Sequence, residues 1–301
     1  MSRRRVFGFR LFLAVSIATA TTTLAAPRAH AFDSLRECVP PESFLLIAWR
    51  SAPERGYIDR ELADVRDALR ASDFLDRVIA EAQASSPPAD AADGEPEGFE
   101  LEWWRDALAR VEWWRLVHTE GAIGFRVGPT GRIELLIALD AGSASARDES
   151  LLALREILHG LAAVFETYEL VEAPREGVPT TVLYGLEDPG EQICLGGYDD
   201  VVLIATSSHL LRQSIELLEG RGSARPLIDT PEYRASRKTL ERSLGDSTGI
   251  GDFEVWFRPG ESLEGERALT AISRWHLLFS AREQRLDWAC ELELDAADEE
   301  N

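Results

Sequence analysis

The chain has 301 residues, of which 45% are hydrophobic, and its 53 acidic side chains outnumber 32 basic ones to give a formal net charge of −21. That length and apolar content suffice for one large domain or two modest ones. The charge repels phosphate backbones and anionic lipid surfaces, so no nucleic-acid partner is expected.

The N-terminus reads as an address. Ser2-Arg3-Arg4-Arg5 is followed by the uncharged apolar stretch 11–26 and by Ala29-His30-Ala31. A basic start, an apolar middle and a small-x-small end make a secretory signal peptide over residues 1–31, with the mature chain beginning at Phe32. The apolar stretch falls short of the roughly 20 residues that span a bilayer, so no transmembrane span is expected after cleavage. Arg4-Arg5-Val6-Phe7 also fits a twin-arginine signal. Gly8-Phe9 stands where that signal usually has Leu-Lys, which favours the Sec route. The expected location is periplasmic or extracellular.

Ser43–Trp49 reads as a buried strand after Pro40-Pro41, and 57–83 carries helical periodicity. Residues 84–98 hold no large apolar side chain and predict a mobile loop. The segment 102–115, EWWRDALARVEWWR, follows with four Trp. On a helix, Trp103, Trp104 and Trp114 fall on the apolar side, and Trp113 falls with Glu102 and Asp106 on the polar side. Trp113 is thus the one candidate here for a partner contact. Ile123, Phe125 and Val127 alternate, Gly128–Gly131 turns, and Ile133–Leu139 alternates in the partner strand. Residues 148–164 form an amphipathic helix, and strand-like runs follow at 165–173, 180–186 and 191–196. The turn Gly196–Asp200 leads into an apolar strand. Asp199-Asp200 is the other candidate binding position, although paired acids at such a place are an ordinary turn signal. Ser207-Ser208 caps a helix ended by Gly220, and Pro231 opens another. A strand at 252–257, a helix at 262–281 and an alternating strand at 286–294 close the pattern.

Strands joined by short turns, with blocks of helix between them, predict an α+β fold: antiparallel sheet with helices packed mainly on one face. Residues 32–295 form one such domain and 296–301 an acidic tail. Two similar halves stay open, because the strand-then-helix opening at 43–83 loosely resembles 252–281. The runs VPPESFLLIAW, GAIGFRV, RIELLIAL, GGYDDVVLIATSSHLLRQSIELLEG and DFEVWF together resemble a family of secreted bacterial proteins known only as a domain of unknown function. The likeness spans most of residues 38–258. It implies a fold and an exported protein, and it brings no activity and no site residues.

Catalytic signatures are missing. There is no G-x-S-x-G, H-E-x-x-H, C-x-x-C, phosphate loop, dinucleotide fingerprint or EF-hand loop. No catalytic residue, metal ligand set or cofactor is expected. His118, His159 and His209 read as isolated polar positions, and His276 as a partly buried helix residue beside Leu269 and Ile272. Cys38, Cys194 and Cys290 allow one disulfide at most, or three free thiols of which two are buried. The expected role is a non-catalytic binding or envelope-assembly protein with a protein or small-molecule partner. The alternative is an exported hydrolase with a carboxylate or Ser site. A pocket gathering Ser with His would favour the second.

Overall fold

Apolar side chains recur at every second position in most strands of this chain, and in the central ones at every position. A strand whose two faces are both apolar must be covered on both sides. The computed structural model describes residues 34–50, 120–164, 167–175, 178–188, 190–221, 225–245, 253–259, 272–282 and 285–294. Ten strands lie in them: β1 Ser43–Arg50, β2 Glu120–Val127, β3 Ile133–Asp140, β4 Tyr168–Arg175, β5 Val178–Gly185, β6 Gln192–Tyr198, β7 Val201–Ala205, β8 Phe253–Phe257, β9 Ile272–Arg282 and β10 Arg285–Leu294. They form one sheet in the order β10-β9-β8-β1-β2-β3-β7-β6-β5-β4. Every pairing is antiparallel.

Among the described residues three α-helices accompany the sheet: α1 Ala144–Val164, α2 Ser208–Leu218 and α3 Pro231–Leu244. They do not share a face. On one face Leu135, Ile137 and Leu139 of β3 pack with Leu154, Ile157 and Leu161 of α1. On the other face Leu136 and Ala138 pack with Leu210, Ile215 and Leu218 of α2 and with Tyr233 of α3. The described helices thus cover both faces, α2 and α3 on one and α1 on the other, and the α+β, antiparallel part of the expectation stands. The reason is legible in β3: its positions 134–139 are buried without a break, so neither face is left to water.

A correction concerns the end of 262–281, which the periodicity reads as helix. Residues 272–282 are instead strand β9, hydrogen-bonded between β8 and β10. Residues 262–271 lie outside the described residues. The helix at 57–83, the loop 84–98 and the Trp segment 102–115, Trp113 included, lie outside the described residues. Among the described residues no helix is long and apolar enough to cross a membrane. Cys38 and Cys194 are buried, Cys290 is exposed, and no disulfide joins them.

Candidate functional site

Helix α3 starts where its sequence says it should. The Thr230 side chain accepts from the backbone N–H of Tyr233, and Pro231 occupies the first turn, where a missing N–H costs nothing. From that start Tyr233, Ser236 and Arg237 follow at i, i+3 and i+4, so one stripe of the helix carries a phenol, a hydroxyl and a guanidinium. All three are buried. Below them the sheet register brings three further polar side chains together. His276 of β9 pairs with Trp256 of β8 and with Glu291 of β10, and Glu254 lies two residues from Trp256, on the same face of β8. Arg36 reaches in from the short 3₁₀ turn Leu35–Cys38, which the Ser34 side chain caps.

Glu254 is the centre of this network, and it is fully buried. Its Oε1 accepts from the Tyr233 hydroxyl at 2.5 Å and lies 2.6 Å from His276 Nε2. Its Oε2 accepts from Arg237 Nη1 at 2.7 Å and lies 3.0 Å from Arg36 Nη1. Burial alone would raise the pKa of this carboxyl. The Arg36 charge, the His276 hydrogen bond and the Arg237 charge overcome that and hold it far below the ordinary carboxylate range. Burial, with Glu254 alongside, pushes the Tyr233 phenol up. Burial would lower Arg237, but Glu254, Tyr233 and Glu241 together raise it.

Ser236, His276 and Glu254 stand in line: the Ser236 hydroxyl oxygen is 2.8 Å from His276 Nδ1, and His276 Nε2 is 2.6 Å from Glu254. A serine hydrolase uses the same three groups, but its histidine must accept the serine proton. Here the Ser236 hydroxyl donates to Glu291 Oε2. That bond uses the hydroxyl's one proton, which is then directed away from His276 Nδ1. Ser236 is also 0% exposed, out of reach of any substrate. The arrangement is a buried clamp tying α3 to β8, β9 and β10.

Above the clamp lies a groove of about 750 Å³ between the first 3₁₀ turn, the end of α2, the second 3₁₀ turn Leu227–Asp229 and α3. Arg36, Tyr233 and Arg237 form its inner wall. Arg221, Arg234 and Lys238 line it from the exposed side, with Glu216, Asp229 and Glu241 between them. Arg234 pairs with Asp229, and Arg237 with Glu241 at 2.7 Å. Lys238 has no carboxylate within ion-pair distance among the described residues.

The positions expected from sequence fall elsewhere. Asp199 and Asp200 form the two-residue turn between β6 and β7, where Asp199 adopts φ +51 and its carbonyl accepts from Arg147. The Asp200 carbonyl accepts from Ala141 N–H at 2.9 Å, and its side chain is buried. Both are turn residues, and neither lines the groove. His276 is not a helix residue at an apolar border but a fully buried strand residue with a polar partner on each ring nitrogen. His159 lies 3.6 Å from Glu172, and His209 Nδ1 lies 3.0 Å from Arg126. The sequence reading missed Glu254, Arg36, Arg237, Tyr233, Ser236 and Glu291. One signal was available: Glu254 is the lone charge in the strand Phe-Glu-Val-Trp-Phe, and a charge on an apolar strand is buried with partners or faces water. No group of His, Cys, Asp or Glu that could hold a metal occurs among the described residues. Compared with protein-family models, with curated proteins and with solved structures, the chain matches none of them.

Proposed function

We propose that this chain is an exported, periplasmic or extracellular protein that binds rather than catalyses, taking in the groove beside α3 a polar partner with an anionic group. The observation that carries the reading is the division of labour at this site. The polar groups with catalytic chemistry are sealed and saturated, while Arg234 and Lys238 stand exposed at the rim. A fixed, hydrogen-bonded floor under a charged rim suits recognition, because the floor need not rearrange when the partner arrives. In a chain of net charge −21, the exposed cations of one groove also set the sign of what it attracts.

The hydrolase reading has one observation in its favour, the Ser236–His276–Glu254 line. The commitment of the Ser236 proton and its complete burial weigh against it. The test compares three proteins on envelope extract and on a panel of ester, amide and glycoside substrates. Wild type and Ser236→Ala should retain the same partner, and Arg234→Glu/Lys238→Glu should lose it at least tenfold. Hydrolysis of any panel substrate that disappears in Ser236→Ala would overturn the binding reading.

A further inference from the structure

Four side chains stand in line across the clamp: Glu254 of β8, His276 of β9, Ser236 of α3 and Glu291 of β10. Glu254 Oε1 lies 2.6 Å from His276 Nε2, His276 Nδ1 lies 2.8 Å from Ser236 Oγ, and Ser236 Oγ meets Glu291 Oε2. Each of these contacts needs a hydrogen between its two heavy atoms. A neutral imidazole brings one and a serine hydroxyl brings one, whichever way they turn. A carboxylate brings none, because it only accepts. Two protons cannot fill three contacts. Ser236, His276 and Glu254 are each 0% exposed, which closes the line to bulk solvent. A contact left without a hydrogen would set lone pair against lone pair in the interior, where unmade hydrogen bonds are costly.

The third proton has one place to go. Glu254 is kept ionised by Arg36 and Arg237. Glu291 is ion-paired with Arg274 of β9 at 3.5 Å. That leaves Nδ1 of the ring between them. We propose that His276 is held as an imidazolium, donating from Nε2 to Glu254 and from Nδ1 to Ser236, and that this proton makes the clamp beneath α3 a pH-sensitive latch. The charged and titratable groups around the ring are Glu254 with Arg36 and Arg237 behind it, Glu291 with Arg274, and the Tyr233 phenol, whose ring centre is 5.3 Å away. Glu241 stands beyond Arg237. Burial and the guanidiniums oppose a further positive charge, while Glu254 directly and Glu291 through Ser236 favour it. Opposed effects of this kind let pH decide the outcome. Once the proton leaves, the Ser236 hydroxyl can serve His276 or Glu291 but not both, and α3 loses one of its two ties through Ser236. Tyr233 and Arg237 of the groove wall ride on the same helix, so the latch sets how firmly that wall is held, whatever the groove takes.

An unfolded histidine gives up its second proton near pH ~6.5. Above that pH, folding takes up a proton. The stabilisation is therefore complete below it and is lost as pH rises, the unfolding constant growing up to about tenfold per pH unit. Glu291→Gln is the decisive variant. Its carboxamide N–H can donate to Ser236 Oγ, the hydroxyl is freed to donate to Nδ1, and a neutral ring completes the line. Urea unfolding of wild type and Glu291→Gln should diverge between about pH 6 and about pH 9, wild type losing stability relative to the variant by up to about tenfold in unfolding constant per pH unit. Groups titrating elsewhere cancel in that ratio. Nitrogen-15 NMR of histidine-labelled protein at about pH 7 should show both ring nitrogens of His276 protonated in wild type and one in Glu291→Gln. Parallel stability curves, or a wild-type His276 ring with a single N–H, would overturn the proposal. Should Glu291→Gln not fold, Ser236→Ala removes both middle contacts and should lose the same pH dependence, and its persistence there would overturn the proposal as well.

Discussion

Glu254 shows how one residue can hold a site and be nearly invisible in the sequence. Its carboxylate faces two guanidiniums, an imidazole and a phenol in a volume without solvent. Removing its charge takes from the buried Arg36 and Arg237 the carboxylate they share, although Arg237 keeps Glu241, and breaking such a group from one side costs about 3–5 kcal/mol. Glu254→Gln should lose that much in urea melts at neutral pH, whereas Asp199→Asn, in a surface turn, should change stability by less than about 0.5 kcal/mol. The pH dependence follows from the direction of the shift. Because the folded carboxyl titrates below its ordinary value of 4.5, its contribution is complete above that value and drains away as pH falls beneath it. The acid limb of the stability curve should therefore be shallower in Glu254→Gln than in wild type. Tyr233 runs the other way: its folded phenol titrates above 10, so its contribution is present below that pH and is lost as pH rises past it. Gly121 is a steric counterpart. It sits opposite Trp49 across β1 and β2, and a Cβ built there would lie 1.9 Å from Trp49 Cζ2. Gly121→Ala must displace the indole and should cost about 1–3 kcal/mol, the usual range for overpacking.

Elements were legible where one period dominated. The hairpin Glu120–Val127 with Ile133–Asp140, the cap at Ser207, the helix opening at Pro231 and the strand Arg285–Leu294 all carry their signals locally, and all are present. β9 was not legible. In Ile-Ser-Arg-Trp-His-Leu-Leu-Phe-Ser, Trp275, Leu277 and Phe279 face one side while His276 and Leu278 are buried on the other. Apolar residues on both faces erase the alternation and leave a run that a helix would fit as well. The site inherits the same limit. Its residues come from a 3₁₀ turn, a helix and three strands separated by up to 255 positions, and only the register of β8, β9 and β10 unites them. The capping assignment can be checked on its own. Thr230→Ala removes the side-chain acceptor for the Tyr233 N–H at the start of α3, and should lower stability by about 1 kcal/mol. Thr230→Ser, which keeps the oxygen, should restore most of it. Equal losses in the two variants would show that the methyl group, not the cap, matters.

At the scale of the whole molecule, the sheet has two coats, and the three thiols sample them unequally. Cys38 and Cys194 are both 0% exposed in the core on the α2 side, alongside Leu136 and Leu203. Burial pushes the Cys38 thiol well above its ordinary range, which suppresses the reactive thiolate. Cys290 is exposed on β10, with the Trp275 indole N–H donating to its sulfur at 3.0 Å. A thiol reagent added to the native protein should therefore label one cysteine per chain quickly, and peptide mapping should place the label on Cys290. In denaturant all three should react. The slow native-state labelling of Cys38 and Cys194 tests whether the two coats open together. Reaching Cys38 requires the first 3₁₀ turn to leave α2, and reaching Cys194 requires α2 to leave β6. Both contacts involve α2, so if the fold opens as one unit the two thiols should be labelled at the same rate, with the same steep denaturant dependence. If Cys38 were labelled much faster, with a shallow dependence, the N-terminal turn would be detaching alone. Because that turn supplies Arg36 to Glu254, such local opening would also expose the buried clamp.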